Sequence, residues 1–159
     1  MIVGNGDIAK ILNDRKGALF FASGVSNSGC LDSSQFKREK NLLLSQPKDL
    51  CLFYFSTISL DYVVTPYTIH KAGMELLIKS NWNHYNIIRL GNILWGTNPN
   101  TFINFLRNKK AAGQPYELRD EYRYVVAVDQ LLLLTDNLPL KGQNEISIFT
   151  KIVKPKDII

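Results

Sequence analysis

A tyrosine and a lysine one helical turn apart are the residues of this sequence best suited to acid–base chemistry. Tyr67 and Lys71 are four positions apart, a spacing that places both side chains on one face of an α-helix. A lysine ammonium close to a phenol favours the phenolate and lowers the pKa of the tyrosine. We therefore predict that Tyr67 exchanges a proton with a substrate hydroxyl or carbonyl during hydride transfer. A solvated surface pair is the alternative, because the same spacing occurs in many helices.

Two hydroxyl residues could hold a substrate oxygen beside this pair. Ser56 and Thr57 follow an uninterrupted apolar run over residues 50–55. A hydroxyl at the end of a buried parallel strand faces the crevice in which open α/β sheets bind ligands. We expect one of the two to orient the substrate next to Tyr67, and a simple strand-terminal turn is the alternative.

A glycine turn near the amino terminus could bind a phosphate. The sequence from Gly4 to Ala9 has the pattern G-x-G-x-x-A after a short apolar segment. Glycines allow a pyrophosphate to approach the backbone, and a following helix would present its unpaired N–H groups. The apolar residues Ile8, Ile11 and Leu12 predict such a helix. The predicted cofactor contacts are Gly4, Gly6, Asp7 and Ile8, whereas a plain strand–helix turn is the alternative.

Strand and helix signals alternate through the first ninety residues and predict a parallel sheet. Continuous apolar runs are typical of strands covered on both faces, and here they predict strands at residues 18–22, 50–55 and 85–90. Cap residues and apolar spacing predict helices at about 34–46 and 66–80, the second with Thr65 as its cap. We predict one minimal domain over residues 1–159, in which residues 97–159 form a small C-terminal lobe on the substrate side. In that lobe we expect helices at 101–109 and 129–135, and extended segments at 124–128 and 145–149.

Composition excludes several classes of protein. The 159 residues carry a net charge of +5 from scattered lysines and arginines, which predicts no nucleic-acid partner. The two cysteines, Cys30 and Cys51, have neither the spacing nor the histidines of a metal site, so we expect no metal. The sequence shows no signal peptide and no apolar run long enough to span a membrane, so we expect a cytoplasmic protein.

Together and in this order, the motifs resemble the short-chain dehydrogenase/reductase superfamily, and most closely its extended branch, the NAD-dependent epimerase/dehydratase family acting on nucleotide sugars. Residues 20–24 resemble the family's fourth strand, which ends beside the nicotinamide, so the resemblance adds Ala22 and Ser23 to the cofactor contacts. Residues 52–57 resemble the fifth strand, which carries the active-site serine or threonine. Tyr67 and Lys71 match the active-site pair, which implies that Lys71 also holds the nicotinamide ribose.

Two later segments extend the resemblance. Residues 87–96 look like the family's segment after its sixth strand, and the resemblance places Asn92 near cofactor and substrate. Residues 123–130 look like a later segment whose arginine contacts the sugar-nucleotide diphosphate, a role that would fall to Arg123. For Arg89 and Asp129, a buried structural pair or a helix cap is an equal alternative.

One departure from the family concerns the sheet. The chain passes from the glycine turn almost directly into what resembles the fourth strand, so the usual second and third strands are missing. The resemblance therefore implies a Rossmann-like α/β fold, mostly parallel and with helices on both faces, that lacks these two strands. No acidic residue ends residues 18–22, and NAD or NADP binding is expected to be weakened or lost. In an alternative alignment that segment is the second strand, with Ser23 or Ser26 near the ribose or a 2′-phosphate.

The resemblance implies an NAD(P)-dependent oxidoreductase, epimerase or dehydratase acting on a nucleotide sugar in surface-polysaccharide synthesis. Two alternatives are a non-catalytic nucleotide-binding or regulatory module, and an assembly subunit that pairs with a complete homologue. Relatives commonly dimerise through the tyrosine helix, and the apolar residues of this helix suggest a homodimer through residues 67–80.

Overall fold

Five parallel strands form the central sheet. A computed structural model describes all of residues 1–159. The strands of the chain are β1 (Ile2–Val3), β2 (Ala18–Phe21), β3 (Cys51–Thr57), β4 (Tyr85–Leu90), β5 (Asn92–Ile93), β6 (Arg123–Val126), β7 (Gln143–Ile148) and β8 (Lys151–Val153). The central sheet has the order β1-β2-β3-β4-β7, which is the predicted Rossmann-like sheet without its second and third strands, and β1 forms one edge. The predicted fold class is therefore confirmed.

Four α-helices flank the strands and begin where the sequence signals place them. They are α1 (Ser33–Leu44), α2 (Pro66–Asn81), α3 (Phe102–Ala111) and α4 (Val128–Asn137). At the start of α1, the Asp32 carboxylate accepts a hydrogen bond of 2.8 Å from the backbone N–H of Ser34. At the start of α2, Thr65 and Thr68 each accept a bond from the other's backbone N–H, a reciprocal cap that fixes the first turn. The predicted cap at Thr65 is confirmed.

Neighbouring residues of each strand point to opposite faces of the sheet, and helices cover both faces. On one face, Phe21 and Tyr54 belong to a buried cluster that also contains Leu43 of α1 and Ile78 of α2. On the other face, Phe20 and its neighbours pack with α4. Burial on both faces explains why the strand sequences are continuously apolar rather than alternating.

The prediction of a helix after the glycine turn is wrong. Residues Ala9–Ile11 form a single turn of 3-10 helix, and the chain is extended again at Leu12. Leu12 is buried in the core, and the Arg15 guanidinium donates hydrogen bonds of 2.8 and 3.0 Å to the carbonyls of Thr135 and Leu138 at the end of α4. The connection to β2 therefore runs past the end of α4, where Arg15 anchors it.

Residues 97–159, expected to form a C-terminal lobe, contribute to two sheets. Their strand β7 pairs in parallel with β4 and completes the central sheet. Strands β6 and β8 join β5 in a second, three-stranded sheet. At Gly91, between β4 and β5, a Cβ atom would lie 2.8 Å from the carbonyl oxygen of Tyr124, so only glycine allows this close approach of the two segments.

No helix in the structure combines the length and the apolar character that a membrane crossing requires.

Candidate active site at the carboxyl edge of the sheet

A cleft of about 590 Å³ opens where β2, β3 and β4 reach their carboxyl ends. This is the edge at which open α/β sheets bind ligands. The structure brings all but one of the predicted site residues to its walls: Gly6, Asp7, Ile8, Ala22, Ser23, Ser56, Thr57, Tyr67, Lys71, Asn92 and Arg123. Gly4 does not line the cleft. Its φ is +123°, and a Cβ atom there would collide with the carbonyl of Ala22, so Gly4 serves the packing of β1 against β2.

The Tyr67–Lys71 pair lies on the inward face of α2, and both side chains are buried. Lys71 is only 2% exposed. Its ammonium donates to Glu39 Oε1 over 3.0 Å and to the Tyr54 hydroxyl over 3.2 Å. The ammonium nitrogen lies 5.8 Å from the centre of the Tyr67 ring and is not hydrogen-bonded to the Tyr67 hydroxyl. The solvated surface pair is therefore excluded, and the lysine is held by partners outside its own helix.

Glu39, on α1, is the centre of this buried network. Its side chain is completely buried and accepts four hydrogen bonds: from Val25 N at 2.8 Å, Tyr54 Oη at 2.5 Å, His70 Nε2 at 2.9 Å and Lys71 Nζ at 3.0 Å. Burial raises the pKa of Glu39, but the Lys71 charge and the hydrogen bonds outweigh burial and leave the pKa far below its usual value. Glu39 therefore carries a negative charge next to Lys71.

The expected lowering of the Tyr67 pKa is wrong. Burial raises the pKa of Tyr67, the Lys71 charge lowers it and the Glu39 charge raises it, so the net direction is upward. The prediction left out the burial of the Tyr67 phenol, which is the largest effect, and it treated Lys71 as an uncompensated charge although the Glu39 carboxylate is paired with it. Tyr67 is consequently a neutral phenol at physiological pH.

Sequence reasoning missed Glu39, although a signal was present. Phe36, Glu39 and Leu43 are three and four residues apart and share one face of α1. Leu43 is fully buried, and the Phe36 ring stacks on His70 with centroids 4.5 Å apart. A glutamate between two apolar residues on one helical face indicates a buried carboxylate that needs a cationic partner.

The two hydroxyls at the end of β3 differ in their free hydrogen-bonding capacity. Thr57 Oγ1 accepts a 3.2 Å bond from the backbone N–H of Ser59 and caps the short 3-10 helix that follows. Ser56 is 6% exposed, lines the cleft, and its hydroxyl has no hydrogen-bond partner. Because buried hydroxyls are nearly always paired, Ser56 is a candidate contact for a ligand oxygen.

The glycine turn lacks the helix that was expected to hold a phosphate. Gly6 leaves open space beside the backbone, but the single 3-10 turn that follows provides no helix dipole. Asp7 is almost buried, and its carboxylate accepts a 2.8 Å hydrogen bond from the backbone N–H of Asn98. Trp95 donates from its indole to the Asp7 carbonyl over 3.1 Å. Asp7 thus ties the segment after β5 to the glycine turn and places a negative charge at this end of the cleft.

The predicted substrate residues lie on the second sheet. Asn92 donates from its side-chain amide to the Tyr124 carbonyl over 3.2 Å. The Arg123 guanidinium pairs with Glu121 at 3.0 Å and lies 4.8 Å from the centre of the Phe102 ring, while its buried Nε has no partner. Arg123 therefore combines a positive charge with an unused donor.

Arg89 forms a structural ion pair, which is one of the two alternatives considered for it above. Its guanidinium binds the nearly buried Glu75 at 2.6 Å and Asp61 at 3.2 Å. The hydrogen bonds to Glu75 raise the pKa of Arg89 more than burial lowers it. The arginine therefore joins β4 to α2 instead of lining the cleft.

Comparison with known proteins finds similarity at the level of structure only. No protein-family model matches the sequence, and no curated protein sequence matches it. The UDP-glucose 4-epimerase of Thermotoga maritima superposes with a TM-score of 0.66 at 17% identity, over 88% of this chain and 58% of that protein. The UDP-glucuronic acid 4-epimerase of Bacillus cereus gives 0.68 at 16% identity, over 96% and 60%. The dTDP-glucose 4,6-dehydratase of Bacillus anthracis gives 0.65 at 13% identity, over 89% and 54%.

These likenesses confirm the predicted resemblance at the level of the fold. The Bacillus cereus protein was solved with a UDP-linked sugar analogue and NAD, and the Bacillus anthracis protein with NAD. The present chain spans little more than half the length of each of the three proteins.

Proposed function

We propose that this chain is a shortened member of the NAD-dependent epimerase/dehydratase family that binds a nucleotide sugar and uses Tyr67 as its acid–base residue. The observation that carries the proposal is the convergence of Tyr67, Lys71, Ser56 and Thr57 on one cleft at the carboxyl edge of the sheet. The structural likeness to UDP-sugar epimerases and a dTDP-sugar dehydratase supports this class of substrate. A role in surface-polysaccharide synthesis would follow from that class.

Each residue of the cleft has a role that its side chain chemistry suits. Tyr67 presents a phenol that can give a proton to a substrate oxygen. Ser56 has a free hydroxyl to orient the same oxygen, and Thr57 lies beside it at the end of β3. Arg123, with its positive charge and its unpaired Nε, is suited to the diphosphate of a nucleotide sugar, and Asn92 lines the cleft on the same sheet.

The residues present fit the nicotinamide end of NAD or NADP and not the adenosine end. Ala22, Ser23, Tyr67 and Lys71 all line the cleft, and Lys71 uses two of its three N–H groups within the protein. The third is available for a ribose hydroxyl. No strand lies beyond β1 to form an adenosine pocket, and Asp7 puts a negative charge near the glycine turn. When bound, a nicotinamide would supply or accept hydride, and its affinity should be weak.

The missing adenosine pocket favours a second candidate function. A nucleotide-binding or regulatory module without catalysis would retain the cleft but need no complete cofactor site. The single 3-10 turn after Gly6 and the edge position of β1 are the observations that favour it.

Binding and turnover together distinguish the two candidates. Purified protein is titrated by calorimetry with NADH, NADPH and UDP-glucose, and turnover of UDP-sugars is followed with Tyr67→Phe as the test variant. Tyr122→Phe is the matched control, because Tyr122 is 67% exposed and outside the cleft. Turnover that is lost only in Tyr67→Phe supports the enzyme. Binding of UDP-glucose without NADH or NADPH binding supports the module, and turnover by Tyr67→Phe contradicts the assigned role.

We further propose that two copies of the chain pair through α2. Met74 and Ile78 point into the core, whereas Ile69 and Leu76 on the outer side are 62% and 65% exposed. Exposed apolar side chains repeated along one helical face indicate an interface. Light scattering coupled to size exclusion should report a dimer, and Leu76→Glu should convert it to a monomer. A wild-type monomer at all accessible concentrations would refute the pairing.

A further inference from the structure

We propose that Glu39 is a positioning residue for Tyr67: its carboxylate fixes and neutralises the Lys71 ammonium, which makes Tyr67 a proton donor to a substrate carbonyl. The inference rests on the proposed function, and it adds both a residue and a direction of reaction. The substrate class is then a nucleotide-linked keto sugar that is reduced.

The position of the Lys71 ammonium is fixed from several sides. Glu39 and the Tyr54 hydroxyl hold it at 3.0 and 3.2 Å. The backbone at Gly24 packs closely against the ion pair, because a Cβ atom at this position would lie 2.7 Å from Lys71 Nζ and 3.0 Å from Glu39 Oε1. The backbone N–H of Val25 binds the other carboxylate oxygen at 2.8 Å, so the loop after β2 is tied to the ion pair.

The charges around Tyr67 nearly cancel, because Lys71 is paired with Glu39 and Glu75 is paired with Arg89 on β4. Helix α2 contributes the Lys71 ammonium, His70 and, one turn further along, Glu75; helix α1 contributes Glu39, and strand β3 contributes the neutral phenol of Tyr54. The Lys71 and Glu39 charges are 3.0 Å apart and act on Tyr67 in opposite directions. His70 adds a positive charge only when it is protonated. A buried phenol beside a neutralised lysine keeps its proton.

A neutral Tyr67 is matched to carbonyl reduction. A reduced nicotinamide, when bound, would supply hydride to the carbonyl carbon; the electron pair of the C=O bond would then move to the oxygen, which would take the proton of the Tyr67 hydroxyl. The product would be an alcohol, the cofactor would be left oxidised, and the Tyr67 phenolate would regain its proton from solvent. Oxidation of a substrate hydroxyl would instead require Tyr67 as a phenolate, which the Glu39 charge disfavours.

The test measures the ionisation of Tyr67 directly and needs no bound ligand. Alkaline titration of tyrosinate absorbance in wild type, minus that in Tyr67→Phe, isolates the Tyr67 transition. The same difference is then taken between Glu39→Gln and the double variant that also carries Tyr67→Phe. In the Glu39→Gln background the midpoint of the Tyr67 titration should fall by about one pH unit or more, because Lys71 is then uncompensated. Tyr54→Phe is the matched control, because it removes a neighbouring hydroxyl and leaves both charges in place.

A Tyr67 midpoint that stays the same or rises in Glu39→Gln overturns the proposal. If Glu39→Gln does not fold by circular dichroism, Glu39→Asp takes its place: a longer ion pair should lower the midpoint by a smaller amount, and no downward shift again overturns it. The pH profile of carbonyl reduction gives a second readout, with the alkaline decline moving to lower pH in the variant. Failure of nucleotides to bind would refute the proposed function but leave this titration unchanged, so the two can fail separately.

Discussion

Removing the buried ammonium should destabilise the fold by an amount that the geometry predicts. In Lys71→Met, Glu39 keeps three hydrogen-bond donors but loses its counter-charge at 3.0 Å. At an effective dielectric constant of 20, that separation corresponds to roughly 5–6 kcal/mol of attraction. Breaking a buried pair typically costs about 3–5 kcal/mol, and the remaining donors place this site near the lower end. We expect a loss of about 3 kcal/mol, or roughly 6–12 °C in Tm for a chain of this size.

Urea unfolding, monitored by circular dichroism, measures this loss in the free energy of unfolding and shows whether it comes from the Lys71–Glu39 ion pair. Wild type, Lys71→Met, Glu39→Gln and the double variant form a cycle, in which the double variant should lose less than the sum of the single variants. Lys79→Met is the matched control on the same helix. Its ion pair with Glu145 is partly exposed, so we expect a change below about 1 kcal/mol.

The pH dependence of the loss has a defined sign. Because the folded-state pKa of Glu39 lies below its ordinary value of 4.5, the carboxylate contributes stability above that pH, and this stability is lost as the pH falls towards the folded-state pKa. The difference in free energy of unfolding between wild type and Lys71→Met should therefore be largest near pH 7 and become smaller as the pH falls. A difference below 1 kcal/mol at pH 7, or one that widens in acid, would refute the reasoning.

Three further predictions concern the walls of the cleft and its supports. Ser56→Ala removes a buried hydroxyl that has no partner, so the free energy of unfolding should change by less than about 0.5 kcal/mol in urea titrations while affinity for UDP-glucose falls. Asp7→Asn keeps an oxygen for the Asn98 N–H but removes a negative charge, so calorimetry should find NADH binding strengthened by roughly three- to tenfold; weaker binding would contradict this account of the turn. Arg89→Met leaves the nearly buried Glu75 uncompensated and should cost about 2 kcal/mol in thermal unfolding, and a neutral result would show that the pair is dispensable.

The sequence determines the sheet and most helices for local reasons. The predicted strand at residues 85–90 coincides with β4, because an apolar run buried on both faces can be recognised without knowing its neighbours. The start of α2 was equally predictable, since Thr65 and Pro66 define a helix start within a few residues. The walls of the cleft followed from the same elements, because parallel strands bring their carboxyl ends to one edge.

The features that could not be predicted depend on distant parts of the chain. The glycine turn is followed by one 3-10 turn, and Arg15 holds the connection after it at the end of α4, more than a hundred residues away in sequence. The ionisation of Tyr67 depends on its burial and on Glu39, and the sequence of α1 indicates a buried carboxylate at Glu39 without showing which cation it meets. Only the packing of α1 against β3 and α2 places its carboxylate beside Lys71. Spacing within one helix therefore predicted that Tyr67 and Lys71 lie on the same face of α2, but it could not predict the direction of the Tyr67 pKa shift.

The most direct test of the cleft as the binding site is an amide NMR titration of the isotope-labelled protein with UDP-glucose and NADH. Saturable shifts should appear in residues 22–25, 56–58 and 91–93, the segments that form the carboxyl edge. In Tyr67→Phe, the amide signals of the same residues should shift on titration. Shifts confined to the outer side of α2, or no saturable shifts at millimolar ligand, would contradict the assignment of this cleft.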